Sequence, residues 1–84
     1  MIQKGENMKQ VIIYTSPICF YCEKAKKLFK DKNIKFTEID IFEDKEKAKE
    51  MVEKSGQKRV PVIEIDGKVF SGFNKKEIEE ALEQ

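Results

Sequence analysis

The sequence contains no histidine and no tryptophan, and its 84 residues include only two cysteines, two prolines and one arginine. Without histidine, the side chain most often used as a general base or metal ligand near neutral pH is missing. A structural zinc site takes about four Cys, His or carboxylate ligands, so one cysteine pair does not make a standard one; no metal site is expected. No apolar run approaches the ~20 residues of a membrane span. Residues 1–8, MIQKGENM, lack the apolar core of a secretory signal. The two signs of charge are nearly balanced. The 17 basic and 16 acidic side chains leave a net charge of +1, which gives no electrostatic reason to expect nucleic acid as a partner. These absences predict one small monomeric domain over residues 9–84, preceded by a polar, frayed segment at 1–8. They also predict the cytosol, where free thiols stay reduced, and no membrane contact.

The two cysteines are close together. Cys19-Phe20-Tyr21-Cys22 follows a strand-like run, Val11-Ile12-Ile13-Tyr14, and then Thr15-Ser16-Pro17. A Cys-x-x-Cys on a strand-to-helix turn near a βαβ pattern reads as a redox dithiol, because the two sulfurs close a small ring reversibly. The alternative is a structural disulfide or a pair of buried, inert thiols. In the redox reading Cys19 lies at a helix N-terminus, where unpaired N–H groups and the helix dipole favour a thiolate. Lys24 or Arg59 would add positive charge there.

The remaining pattern alternates between strands and helices. Val11 to Thr15 reads as a buried strand. From Phe20 to Lys32, Tyr21, Ala25, Leu28 and Phe29 are read as one apolar helical face, with Asn33 as a left-handed stop. Phe36 to Ile41 suggests a second strand. Glu43 to Ser55 suggests a second helix with Ala48, Met51 and Val52 inward and Gly56 as terminator. Val60 to Ile65 is a third strand. Asp66-Gly67 is a two-residue hairpin turn that returns Lys68 to Ser71 antiparallel. Asn74 with Glu77 resembles a capping box, after which Ile78, Ala81 and Leu82 point inward. The fold class is α/β, in the order β-α-β-α-β-β-α, with a right-handed crossover between the first two strands. It predicts a four-stranded mixed sheet flanked by three helices.

Charge is unevenly distributed along the chain. Lys24 to Lys35 holds six lysines against Asp31, and Glu38 to Glu53 holds seven acids against three lysines. These stretches read as two solvated helix faces or as a polar surface that orients protein partners. Glu23/Lys27, Glu43/Lys47 and Glu50/Lys54 have the spacing of weak helix-supporting pairs.

The element order, with Cys19-Phe20-Tyr21-Cys22, Val60-Pro61 and Ser71-Gly72-Phe73 in sequence, resembles the glutaredoxin family of the thioredoxin fold over about residues 9–83. The resemblance implies a thiol-disulfide oxidoreductase in which Cys19 is the exposed nucleophile and Cys22 the more buried resolving thiol. It implies no tightly bound cofactor, with glutathione as co-substrate and disulfide-containing proteins as partners. It also implies a cis Pro61 facing the cysteine pair, so that the Val60 backbone pairs with substrate like an added strand. Without the resemblance, Pro61 reads as an ordinary trans edge-strand proline. The implied substrate contacts are Tyr21, Gln57, Arg59, Val60, Pro61, Gly72, Phe73 and Asn74. For Tyr21 the alternative is a core contact; for Gln57 and Arg59 it is a solvated loop position.

Three departures from the family pattern matter. Phe20 replaces the common proline after the first cysteine, which frees a backbone N–H. Arg59 replaces a common threonine. Lys75 stands near where many relatives place an acid against the glutathione ammonium, so its sign is wrong for that contact. Gly72 and the N–H groups after it remain a cradle for a carboxylate. Ser71-Gly72-Phe73 also looks like the small redoxins that feed ribonucleotide reductase and are typically reduced by thioredoxin reductase. A further alternative is a dimer around a glutathione-ligated iron–sulfur cluster, although relatives of that kind commonly carry Gly and Ser within the motif.

Overall fold

The β-branched run at the start of the chain forms β1 (Val11–Thr15), buried at four of its five positions. It is followed by α1 (Phe20–Asp31), β2 (Thr37–Asp40), α2 (Lys45–Ser55), β3 (Val62–Ile65), β4 (Lys68–Ser71) and α3 (Lys75–Glu83), in the expected order. The computed structural model describes residues 9–83, and the segment 1–8, expected to fray, lies outside them. The sheet order is β2-β1-β3-β4. β1 runs parallel to β2 and antiparallel to β3, and β3 pairs antiparallel with β4. This is the four-stranded mixed sheet that the crossover and the hairpin predict.

Side chains alternate across a strand, so β1 and β3 each feed two cores. Val11, Ile13, Ile63 and Ile65 face Ala25 and Phe29 of α1 and Ile78 and Ala81 of α3. Tyr14 and Val62 face Met51 of α2 on the other side, flanked by Ile12, Ile39, Ile41 and Val52. On the α2 side a polar cluster closes the edge of the core. Lys54 Nζ donates to Glu64 Oε1 at 2.8 Å and to the Tyr14 hydroxyl at 3.2 Å. The Glu64 carboxylate, and after it the Tyr14 hydroxyl, hold this ammonium above the ordinary lysine range.

The helix ends follow local chemistry. Asn33 is left-handed at φ 58°. The Asn33 N–H donates to the Lys30 carbonyl at 3.0 Å and the Ile34 N–H to the Phe29 carbonyl at 2.8 Å. This is a Schellman closure, with Ile34 and Phe29 both in the core. The second helix starts two residues later than the pattern suggests, because Asp44 caps it, accepting from the Glu46 and Lys47 N–H groups at 3.1 and 3.2 Å. Asp66 and Gly67 both take positive φ, 50° and 89°, as a type I′ hairpin turn requires. Asp66 also bonds Gln10 in both directions at 2.9 Å, which ties the turn to the start of β1.

Several expectations need correction. The buried stripe of α1 is Cys22, Ala25 and Phe29. Tyr21 is 55% exposed, because the 3–4 residue spacing that buries Ala25 and Phe29 selects Cys22 and turns Tyr21 outward. Leu28 packs at the margin. Phe36 and Ile41 lie just outside β2, and Val60-Pro61 lie outside β3. Of the three expected helix pairs only Glu50/Lys54 forms, at 3.5 Å. Lys27 pairs instead with Asp31, Glu23 with Lys26, and Lys47 with Glu50. Each of these is an equally allowed i,i+3 or i,i+4 alternative.

Candidate active site

Cys19 is the N-cap of α1. Its backbone is extended, with φ −153° and ψ 106°, and its carbonyl accepts the first helical bond from the Glu23 N–H at 3.2 Å. Its sulfur takes the role that a serine or aspartate oxygen usually fills, accepting the Cys22 N–H at 3.1 Å. The Phe20 and Tyr21 N–H groups find no acceptor among the described residues, as the first turn of a helix dictates. The first sulfur therefore lies at the positive end of the helix with one amide already donated to it. The two cysteines are joined as a disulfide with their Cα atoms 5.2 Å apart. Their surroundings differ: Cys19 is partly exposed, whereas Cys22 is 1% exposed.

The strand register brings the second motif to the same end of the sheet. The β1–β3 ladder ends at Tyr14 and Val62, so one step further sets Pro61 across from Thr15, the residue from which the chain turns towards Cys19. The Val60-Pro61 peptide bond is cis. Pro61 is buried, and its carbonyl accepts the Gly72 N–H at 2.9 Å, which carries the β3–β4 pairing one step beyond Ser71. Pro61 thus lies between the end of β1 and Gly72. The N–H and C=O of Val60 have no hydrogen-bond partner among the described residues and remain available for pairing.

One part of the expected carboxylate cradle changes. The Gly72 N–H is committed to Pro61, so it is not a free donor. Gly72 itself takes φ 85°, a left-handed turn that swings the chain into α3. The Phe73 and Asn74 N–H groups stay unpartnered among the described residues. The Asn74 side chain accepts from the Glu77 N–H at 3.2 Å and caps α3. Phe73 packs against the core on the α1–α3 side. Gln57 and Arg59 lie on the loop from α2 to β3. The Gln57 N–H donates to the Ser55 hydroxyl at 3.2 Å, and no bond ties either side chain to the cysteine end.

Two features escaped the sequence pattern. Ile18 is 95% and Phe20 67% exposed, so both chain neighbours of Cys19, like Tyr21, present apolar surface to solvent. The Phe20 and Tyr21 rings meet edge to face at 5.3 Å, and Lys24 Nζ lies 5.1 Å from the Phe20 centroid. The second feature is a buried hydroxyl at the end of β1. The Thr15 hydroxyl donates to Glu38 Oε2 at 3.1 Å, and Lys26 Nζ donates to the same oxygen at 2.9 Å. The Lys26 contact, with lesser help from Thr15, lowers the Glu38 carboxyl below its ordinary range. The same contact raises Lys26. These partners are 12 and 23 residues apart, so no local motif announces them.

The glutaredoxin family model matches residues 11–70. A glutaredoxin-like 8.6 kDa protein from the rubredoxin operon of Clostridium pasteurianum is 43% identical over 72 residues, covering 86% of this chain and 96% of that protein. Glutaredoxin 3 of Escherichia coli is 40% identical over 65 residues, covering 77% and 78%. The glutaredoxin-like protein NrdH of Lactococcus lactis is 35% identical over 68 residues, covering 81% and 93%. The crystal structure of a glutaredoxin from Archaeoglobus fulgidus superimposes with a TM-score of 0.81 at 24% identity, covering 95% of this chain and 92% of that one, a likeness of fold. Among the described residues no helix is long and apolar enough to cross a membrane. By its sequence and its fold the chain belongs to the glutaredoxin family, and with the Cys19–Cys22 pair it is a thiol-disulfide oxidoreductase.

Proposed function

We propose that Cys19 is the attacking thiolate, Cys22 the resolving thiol, and glutathione the co-substrate that returns the pair to the dithiol. The carrying observation is the asymmetry of the two sulfurs. Cys19 is the accessible one, at a helix N-terminus with an amide donated to it, and Cys22 is enclosed. The Cys19 thiolate attacks one sulfur of a substrate disulfide, that S–S bond breaks, and the departing thiolate takes a proton from solvent. Cys22, once deprotonated, attacks the Cys19 sulfur, releases the second substrate thiol and leaves the Cys19–Cys22 disulfide. Two glutathione molecules reduce it and leave as glutathione disulfide.

A lowered thiol pKa helps chiefly in release. A thiol of pKa ~8.5 is about 3% ionised at pH 7, so lowering it to ~5 gains roughly 30-fold in thiolate. Nucleophilicity falls with a slope of ~0.4–0.5, which loses roughly 25–55-fold over the same shift. Attack is therefore nearly unchanged, and the gain is a sulfur that departs quickly from the mixed disulfide.

Glutathione is read as pairing with the Val60 backbone, its γ-glutamyl carboxylate on the Phe73 and Asn74 N–H groups, and Gln57 or Arg59 at the glycyl carboxylate. Tyr21 flanks the sulfur, the cytoplasm is the setting, and the protein acts as a monomer. The second reading, a redoxin fed by thioredoxin reductase, draws support from Lys75 and Ser71-Gly72-Phe73 and from the NrdH relative.

The test is to present the oxidised protein with glutathione and, separately, with thioredoxin reductase and NADPH. Reduction by glutathione is expected, with Lys75→Asp raising its rate several-fold, since an exposed charge contact is worth up to ~1 kcal/mol and the substitution reverses its sign. An unchanged rate in Lys75→Asp removes the charge argument. Failure of glutathione alongside rapid reduction by the reductase puts the second reading first.

A further inference from the structure

We propose that the groove running from Phe20 down α1 to the start of α3 is a subsite for an extended, acidic stretch of polypeptide flanking the target disulfide. This rests on Cys19 being the attacking sulfur. Phe20, Lys24, Lys27 and Asp31 follow one another at three- and four-residue steps and so line one side of α1. From Lys24 onward that line, with Leu28, Phe73 and Lys75, encloses a groove of about 310 Å³. Lys24 joins the groove to the redox centre, since its ammonium also lies 5.1 Å from the Phe20 ring centroid, one residue after Cys19.

The charge of the groove selects its occupant. It holds three lysines and one aspartate, and that aspartate is engaged by Lys27 at 3.3 Å. Lys24 and Lys75 have no carboxylate partner among the described residues. Leu28 and Phe73 give the groove apolar walls, and beyond Lys24 the exposed Phe20 ring, with Tyr21 against it, adds apolar surface next to Cys19. A segment combining carboxylates with an apolar side chain therefore matches both kinds of contact.

The groove itself runs from Lys24 to Asp31, seven helical steps or ~10 Å, and the full path from the redox centre is longer. Phe20 and Asp31 are the two ends of α1, and eleven helical steps between them span ~16 Å. An extended chain at ~3.3 Å per residue crosses that distance in about five residues. A tripeptide with its sulfur held at Cys19 reaches only the upper part of the groove. Glutathione, seated at Phe73 and Asn74, uses the end of the groove near the cysteines, and a polypeptide flanking the target disulfide follows it further along α1.

The experiment uses three peptides with one identical internal disulfide and five-residue arms on both sides, rich in Asp/Glu, in Gln or in Lys. Reduction by the dithiol protein is followed at low ionic strength. The acidic peptide is expected to react roughly tenfold faster than the lysine peptide, two or three exposed charge contacts being reversed in sign. The difference should collapse near 0.5 M salt, where screening shortens to a few ångströms. The double variant Lys24→Glu/Lys27→Glu alters two exposed residues and should invert the ratio. A ratio between peptides cancels any change in Cys19 reactivity. Equal rates for the three peptides in wild type, or an acidic preference that persists in the double variant, overturns the subsite while leaving the oxidoreductase intact. If wild type reduces none of the peptides and no small disulfide either, the reading of Cys19 on which the proposal rests is lost as well.

Discussion

Cys19→Ser is expected to abolish disulfide exchange, leaving only the uncatalysed background with both protein and glutathione mixed-disulfide substrates. Nothing else in the chain replaces it. No histidine is present to activate another group, and Cys22 is 1% exposed with its N–H turned towards the Cys19 sulfur. Cys22→Ser should separate the two substrates. Glutathione mixed disulfides are still turned over, because a second glutathione attacks the Cys19 adduct from outside. Reduction of protein disulfides falls by most of its rate, and adducts at Cys19 accumulate to be identified by intact mass. If Cys22→Ser loses both activities, every turnover needs the dithiol, which favours the reductase-fed redoxin. If Cys19→Ser retains either activity, the assignment of roles is wrong.

The second large effect is on stability. Phe29 is fully buried and its ring lies 5.4 Å from that of Phe36. Its carbonyl also receives the Ile34 N–H at the end of α1. Truncating such a side chain removes its transfer energy and leaves a cavity, about 3–5 kcal/mol in all. For a domain of this size that corresponds to a fall in Tm on the order of 15–30 °C. Phe42→Ala is the control, because Phe42 is 72% exposed and surface truncations usually stay within ~0.5 kcal/mol. Thermal unfolding should be followed in the oxidised and the reduced protein, so that the disulfide does not mask the comparison. Similar losses for Phe29 and Phe42 would mean that the α1 side of the sheet is not the core described.

Most of the fold was legible in local pattern. The hairpin at Asp66-Gly67, the stop at Asn33 and the cap at Asn74 are each set by a residue whose backbone or side chain fits one local geometry. Tyr21 marks a limit of that method. In a short amphipathic helix, neighbours one position apart satisfy an apolar stripe almost equally well, and only packing against β1 and β3 decides that Cys22 goes inside. The cysteine pair and its helix-end setting were legible from the Cys-x-x-Cys spacing together with the strand-like run Val11 to Tyr14 before it. The cis bond at Pro61 was not, because a proline beside a strand is read from pattern as an edge residue; only the family resemblance suggested it. Two interactions lay beyond any local reading. The Thr15–Glu38–Lys26 cluster depends on the parallel register of β1 and β2. The loss of the Gly72 N–H as a free donor depends on the β3–β4 pairing running one step past the last strand residue.

The central claim is that the environment of α1 makes the two thiols chemically unequal, with Cys19 the reactive one. The most direct measurement is thiolate absorbance against pH in the reduced single-cysteine variants, Cys22→Ser reporting Cys19 and Cys19→Ser reporting Cys22, with alkylation rates taken on the same samples. A sulfur that caps a helix and accepts an amide is held as thiolate, whereas an enclosed one is not. Cys19 should therefore titrate well below the ordinary thiol range and remain open to alkylation at mildly acidic pH. Cys22 should titrate no lower than a free thiol and react slowly. Two thiols titrating together near the ordinary range, or Cys22 as the more acidic and faster one, would contradict the account.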